Sequence, residues 1–304
     1  MDWDASGEFM VTSSLDRTVY LYSVNKAGLT NVLQSKKHGV SAVRFTHEGP
    51  RQIVCSSSRD TPTASVKLWD TVENRYIKSF SLASPVRRGR AISPHPSRDL
   101  MLISTWDTCL LYTYDNSSPL VSASYNGASM IGAFDSLGLI FAICDSTHSR
   151  KSLSLYDMSK YQAPFATFDL GKILLKSEEV VSVDFNPNGR SLVLGTNYTR
   201  LLCVNAVTGS AAFACCYSDE PAIIKEQKVF CYPSISSDGK YLLCGCTNGS
   251  ISIWNFKGQS VCSLVGHEGP PYFACFNPRK AMISSACVKV AWWQPALVNS
   301  DETL

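Results

Sequence analysis

The sequence predicts an all-β fold of seven blades set around an axis, and three observations carry that expectation. Short apolar segments follow one another along the 304 residues, tight turns of one kind separate them, and the two together recur at a fixed step. With Gly7, Gly49, Gly138, Gly189 and Gly239 as turn markers, the steps are 42, 89 (two units), 51 and 50 residues. Four short strands per unit, repeated seven times, describe the blades of a propeller.

The elements follow in order within each unit. An alternating segment opens it, as in SAVRF, RAI, MIGAF, VVSVDF, SIS and YFACF. The turn comes next: DASGE at 4–8, THEGPR at 46–51, HPSRD at 95–99, DSLGL at 135–139, NPNGR at 186–190, SSDGK at 236–240 and NPRKA at 277–281. An apolar second strand follows (FMVTSS, QIVCSSS, LMLIST, LIFAICD, SLVLGT, YLLCGC, AMISSAC), then a third (TVYLYS, SVKLWD, LLYTYD, SLSLYD, LLCVNA, SISIWN, VAWW). A looser fourth strand closes the unit, as in YIKSFS, FATFDL and SVCSLVG. Val, Ile, Tyr, Phe and Ser fill these segments while Gly, Asp and Asn punctuate them, which is strand and turn chemistry. Helical periodicity is almost absent.

The third strands carry a repeat signature of the WD type. Trp69-Asp70 is a true WD pair; Trp254-Asn255, Tyr156-Asp157 and Tyr22-Ser23 hold the same place with substitutions, and Trp293 lies in the last such strand. Gly266-His267 is the one GH pair, and Asp16 and Asn248 each stand six residues before the aromatic of their unit. A turn Asp, the GH histidine, a second-strand Ser or Thr and the Trp can form a buried hydrogen-bonded set, tolerable when fully satisfied. Most units here lack a member, so cohesion is expected to rest on apolar packing between blades. Trp69 and Trp254 read as packing residues rather than ligand contacts.

Composition narrows the function. An apolar fraction of 45% and a charged fraction of 17% suit a protein that buries a large core. A net charge of +3 is too near neutral to argue for nucleic acid or a membrane surface as the main partner. The longest apolar run, Leu137 to Cys144, is far short of the ~20 residues a spanning helix needs. The opening MDWDASGE has no cationic or apolar signal segment. The 12 cysteines lie mostly in apolar stretches, with no CxxC pair and no histidine at zinc-ligand spacing. They read as reduced thiols acting as small core residues, which implies a reducing compartment, cytosol or nucleus.

No catalytic constellation, metal set or cofactor motif emerges: the five histidines form no HExxH, and there is no P-loop, GxGxxG or GxSxG. His267 reads as a structural hydrogen-bonding residue, and Asp16, Asp70, Asp107 and Asp157 as turn carboxylates rather than acid–base groups. The chain reads as a non-enzyme whose sites are surfaces. Two basic clusters stand out as candidate partner-binding residues: Lys36, Lys37 and His38 before the second blade, and Arg87, Arg88 and Arg90 at the start of the third. Both fall where the fourth strand of one blade hands over to the first of the next. They read either as a solvated rim or as a site for an acidic or phosphorylated peptide, since clustered Arg and Lys suit carboxylate and phosphate. Three or four charges neutralise too little phosphate for nucleic acid.

Several longer segments resemble one WD-repeat family: SKKHGVSAVRFTH (35–47), NRYIKSF (74–80), LGLIFAICDS (137–146), YQAPFATF (161–168), FNPNGRSLVLGTN (185–197) and FNPRKAMISSACVKVAWWQP (276–295). They are similar to the small WD-repeat subunit shared by COMPASS-type (SET-domain) histone lysine methyltransferase complexes and a type-1 protein phosphatase complex of transcription termination. The resemblance runs over nearly the whole chain. It implies a nuclear, non-catalytic scaffold. The implied partners are the methyltransferase catalytic subunit, a phosphatase-targeting scaffold and the phosphorylated tail of RNA polymerase II. Without it, the residues also fit a generic WD-repeat adaptor such as a ubiquitin-ligase substrate receptor. The third blade, the TPTAS insertion at 61–65 and the loop at 218–229 depart from the family pattern.

The domain reading is one propeller over 1–295 and a polar tail over 296–304. Blade seven runs PYFACF, AMISSAC, VAWW and then Pro295, with no fourth strand after it. Met1-Asp2-Trp3-Asp4 matches the end of blade one's first strand, so the strand that closes such rings from the N-terminus is expected to be missing. The sequence thus reads either as truncated or as one whose gap a partner strand fills, with a three-stranded blade seven and an unpaired inner strand.

Overall fold

The computed structural model describes residues 1–14, 16–35, 39–58, 64–86, 91–124, 130–147, 150–218 and 231–295. Its 27 strands form seven antiparallel sheets, one per blade. Blade one holds β1 (Asp2–Trp3), β2 (Phe9–Ser13), β3 (Thr18–Ser23) and β4 (Gly28–Gln34). Blade two holds β5 (Val43–Thr46), β6 (Gly49–Ser56), β7 (Ser65–Asp70) and β8 (Arg75–Ser81). Blade three holds β9 (Ile92–Pro94), β10 (Leu100–Ser104), β11 (Thr108–Thr113) and β12 (Val121–Ser124). Blade four holds β13 (Met130–Phe134), β14 (Ile140–Ser146), β15 (Lys151–Asp157) and β16 (Ala166–Asp169). Blade five holds β17 (Val180–Phe185), β18 (Ser191–Thr196), β19 (Arg200–Asn205) and β20 (Ala211–Cys216). Blade six holds β21 (Ser234–Ile235), β22 (Tyr241–Gly245), β23 (Ser250–Asn255) and β24 (Ser260–Val265). Blade seven holds only β25 (Phe273–Phe276), β26 (Ile283–Ala286) and β27 (Val290–Trp293) among the described residues.

The recurring turn between first and second strands has one physical design. Its first residue captures the N–H five positions on: Asp4 Oδ1 accepts from Phe9 at 2.8 Å, Asp135 Oδ1 from Ile140 at 2.9 Å and Ser236 Oγ from Tyr241 at 2.9 Å. The chain then reverses through a left-handed residue, with φ of 69° at Gly7, 71° at Gly138 and 69° at Gly239. A side chain strains that backbone conformation, which is why glycine marks the period.

The core lies at the seams between blades. Fifteen buried side chains from Ile131 to Val204 join blades four and five, and thirteen from Ala42 to Tyr114 join blades two and three. The seams flanking blade seven are much thinner. Leu243, Ile251, Ile253 and Ala274 are the buried set toward blade six, and Met1, Trp3, Met10, Cys275 and Met282 that toward blade one. Polar pins reinforce the closing seam. Trp3 Nε1 donates to Ser284 Oγ at 2.9 Å, Asn277 Nδ2 to the Gly7 carbonyl at 2.8 Å, and Lys280 pairs with Glu8 at 2.7 Å. Among the described residues, side chains thus close the ring without a strand shared between blades one and seven. The unpaired edge belongs to outer β27, which corrects the expectation of an unpaired inner strand: β1 is paired, Asp2 opposite Val11 and Trp3 opposite Met10.

All twelve cysteines are free thiols, and nine of them are buried. Burial pushes Cys55, Cys109 and Cys231 up to about 12, so these thiols stay protonated and act as apolar filler.

Candidate docking surfaces

The turn residues are committed to local N–H groups and hydroxyls. Asp16 accepts from Thr18 N at 2.9 Å and Tyr20 Oη at 2.6 Å; Asp70 accepts from Val72 and Glu73 N–H at 2.8 and 2.9 Å. Asp157 accepts from Ser159 N at 2.7 Å, and Asn248 Oδ1 from Ser250 N at 3.0 Å. The Tyr20 hydroxyl holds Asp16 below the usual carboxylate range and the Ser159 hydroxyl does the same for Asp157, the reverse of what a general acid needs. Asp107 accepts from Ser84 Oγ at 3.0 Å and Thr105 Oγ1 at 2.9 Å.

The aromatic repeat positions differ in their polar partners. Trp69 is 2% exposed with the Tyr76 ring 4.8 Å away and tilted by 54°, and Trp254 is 7% exposed against blade five. Tyr156 lies flat on Phe141 at 4.8 Å. In blade seven His267 Nε2 and Trp293 Nε1 both reach Ser285 Oγ, at 2.6 and 2.7 Å, while His267 Nδ1 lies 3.2 Å from Cys287 Sγ. A thiol thus stands where the repeat's turn carboxylate would face the imidazole. Burial lowers the His267 pKa, so the ring sits neutral in this network. Gly266 is required beside it: a Cβ there would lie 2.8 Å from the Trp293 ring.

Lys36, Lys37, His38, Arg87, Arg88 and Arg90 lie outside the described residues. Their flanks are anchored. Ser35 bonds Tyr76 Oη at 2.7 Å, and Val86 bridges to Thr105. Both segments connect an outer strand to the next inner one, β4 to β5 and β8 to β9.

A third connection of this kind, β16 to β17, holds a basic cleft that sequence reading missed. About 640 Å³ in volume, it is lined by Arg150, Lys151, Lys176, Ser152 and Thr167, with Asp169 as the one acid. Beneath it Glu178 is fully buried; its Oε2 accepts from Arg200 Nη1 at 2.8 Å and from Leu175 N at 2.9 Å. Lys151 Nζ donates to the carbonyls of Leu175 and Glu178, and burial lowers its pKa. The connection is therefore held rigidly by buried charge.

One register position recurs in the inner strand of every blade: Asp2, Arg44, Ser93, Ala133, Asp184, Ser234 and Cys275. Three of them reach the next blade's inner strand, with Asp2 Oδ2 accepting from Phe45 N at 2.9 Å, Ser93 Oγ from Phe134 N at 3.2 Å and Ser234 Oγ from Phe276 N at 3.2 Å. Arg44 pairs with Asp2 at 3.0 Å. A cleft of about 230 Å³ opens there between Asp2, Arg44, Asp184 and Pro278. These polar groups knit the ring together.

Comparison with known proteins places the geometry in context. The family model "WD domain, G-beta repeat" matches residues 1–23 and 228–255. "WD repeat-containing protein 82" of Drosophila melanogaster is 28% identical over 308 residues, covering 100% of this chain and 91% of the fly protein. "COMPASS component SWD2" of Saccharomyces cerevisiae is 26% identical, covering 94% and 87%. "Set1 complex component swd2" of Schizosaccharomyces pombe is 30% identical, covering 69% of this chain and 57% of the yeast protein. Among solved structures, the β-propeller domain of Myceliophteria thermophila Cps50 (Swd1) superposes with a TM-score of 0.75 at 13% identity, covering 97% and 95%, which speaks to fold. Seven blades, the WD and GH signatures and these matches converge: the chain is a seven-bladed WD-repeat propeller, similar over nearly its whole length to the WDR82 and Swd2 proteins.

Proposed function

We propose that this chain is a non-catalytic scaffold subunit of a nuclear chromatin-modifying complex, of the SET-domain histone lysine-4 methyltransferase type. A type-1 phosphatase assembly of transcription termination is its second setting. The observation that carries the reading is similarity over 94% of the chain to a protein whose name places it in COMPASS, and over 69% to one named as a Set1 complex component. The turn carboxylates, spent on local N–H groups and hydroxyls, agree with a role in docking rather than in chemistry. Affinity purification of the tagged full chain followed by mass spectrometry tests it. Recovery of a SET-domain methyltransferase or a phosphatase-targeting scaffold is the expected outcome; cullin-ligase subunits in their place would overturn it.

The basic rim supplies the docking chemistry in this reading. Lys36, Lys37, His38, Arg87, Arg88 and Arg90 occupy two outer-to-inner connections, and the Arg150–Lys151–Lys176 cleft occupies a third. Clustered cations favour acidic or phosphorylated peptides, such as the phosphorylated RNA polymerase II tail. Charge reversal at Lys37 and Arg88 is expected to weaken phosphopeptide binding several-fold with no fall in melting temperature. Titration by fluorescence anisotropy checks this, and unchanged affinity in both variants would count against the rim.

A further inference from the structure

Four Ser/Thr-Pro pairs occur in the chain: Thr61-Pro62, Ser84-Pro85, Ser93-Pro94 and Ser118-Pro119. They are chemically unequal. Ser93 is spent in the fold, paired opposite Leu102 with its hydroxyl accepting from Phe134 N–H at 3.2 Å. Ser118 lies in the exposed turn before β12, and Thr61 lies outside the described residues. Neither has an Arg or Lys among the four residues that follow it. Ser84 alone does, in Ser84-Pro85-Val86-Arg87-Arg88-Gly89-Arg90.

Its place in the fold suits a modifying enzyme. Ser84 is half-buried between exposed Ala83 and exposed Pro85, outside any strand, in the connection from β8 to β9. Proline holds the residue before it in an extended backbone and offers no N–H of its own. That is the form in which a kinase cleft takes its substrate, and a cation shortly after the proline adds a charge for the cleft to read. One carboxylate holds the serine in place. Asp107 Oδ2 accepts from Ser84 Oγ at 3.0 Å, while Asp107 Oδ1 accepts at 2.9 Å from Thr105 Oγ1, on the residue that Val86 bridges. Asp107 therefore clamps this connection to the turn between β10 and β11.

We propose that Ser84 is a phosphorylation site for a proline-directed protein kinase, and that its phosphate switches off the basic rim beside it. In the transfer, Ser84 Oγ forms a bond to the γ-phosphorus of ATP, the bond to ADP breaks, and the hydroxyl proton passes to the kinase's catalytic base. The product carries a charge of about −1.5 to −2 and has no proton left to give Asp107, so like charges drive the clamp apart. Arg87 follows three residues on, at most about 11 Å away along the chain, and Arg88 and Arg90 come just after it. The phosphate thus supplies from within the chain the anion that these arginines take from a phosphopeptide in its absence. The site depends on the motif and the Asp107 clamp alone; the switch rests on the basic-rim reading given under the proposed function.

The test incubates the full chain with a purified proline-directed kinase and Mg²⁺-ATP, and maps phosphate by peptide mass spectrometry. Ser84 is expected to fill several-fold faster than Ser118, the exposed control. Arg87→Ala is expected to slow Ser84 several-fold and leave Ser118 unchanged, and Asp107→Ala, which frees the hydroxyl, to quicken Ser84. No phosphate at Ser84, Ser118 filling as fast, or an Arg87→Ala rate equal to the parent's would overturn the site. The phosphorylated protein is then expected to bind a synthetic phosphoserine peptide several-fold more weakly, with a gap that narrows at high salt. Ser84→Ala, left unphosphorylated, should bind as the parent does. Equal affinity before and after phosphorylation overturns the switch. Charge reversal at Arg88 in the same assay separates the two readings. If it weakens binding, the rim stands whatever phosphorylation does; if it does not, the rim and the switch fall together while phosphate on Ser84 still upholds the site.

Discussion

Trp69→Ala is expected to cost about 3–5 kcal/mol, read as a drop in the urea midpoint at constant slope. The indole is 2% exposed and sits among Val11, Leu21, Phe45 and Ile53 at the seam of blades one and two, with the tilted Tyr76 ring against it. Truncation opens a cavity against two blades at once, and close-packed neighbours relax only in part. A companion variant separates packing from hydrogen bonding. Trp69 Nε1 is buried with no acceptor among the described residues, so Trp69→Phe keeps most of the contact and removes an unsatisfied donor. It should cost under about 1.5 kcal/mol. Trp254→Ala, 7% exposed, should behave like Trp69→Ala. A stable Trp254→Ala protein that has lost only partner binding would show the indole to be a contact residue instead.

Glu178→Ala is expected to cost a similar amount, about 3–5 kcal/mol, through charge rather than volume. Removing the carboxylate strands the Arg200 guanidinium, only 22% exposed, without its partner. It also removes the acceptor of Leu175 N–H, loosening the connection that carries the basic cleft. Glu178→Gln keeps a carbonyl acceptor and loses the charge, so it should fall between Ala and the parent. The difference between Gln and parent should change little between low and high salt, because a buried pair is weakly screened. A Glu178→Ala protein that melts within a degree of the parent would mean that water takes the carboxylate's place at no cost.

The propeller was legible because each blade repeats the same local instructions: a turn whose first residue captures an N–H and whose glycine turns left-handed, then strands with period-two patterning. Glu178 was not legible. In LLKSEEVVS it reads as one of a solvated charge run, and only the fold brings Arg200, 22 residues on, against it. The Lys151 cleft was missed for the same reason, since its cations come from a turn and from a connection more than twenty residues later. Cys287 illustrates a subtler limit. The GH histidine announces a polar network, but no pattern rule says that a thiol will take the acidic place when the turn is short. The closing pins, Trp3 to Ser284 and Asn277 to Gly7, join residues 281 and 270 positions apart, and no local signal reports them.

The uneven seams give the ring an order of failure. Blades two to five lean on neighbours through broad apolar contacts, whereas blade seven touches each side through four or five buried side chains. Opening therefore begins there, and the first excited state is a horseshoe with blade seven swung out and an intact arc behind it. Amides of β25, β26 and β27 report that state in hydrogen exchange well before those of β14 or β18 report global unfolding. A protein of this shape is a spring clip whose jaw is its least stable blade, and whatever grips the jaw sets how long the whole ring stays shut.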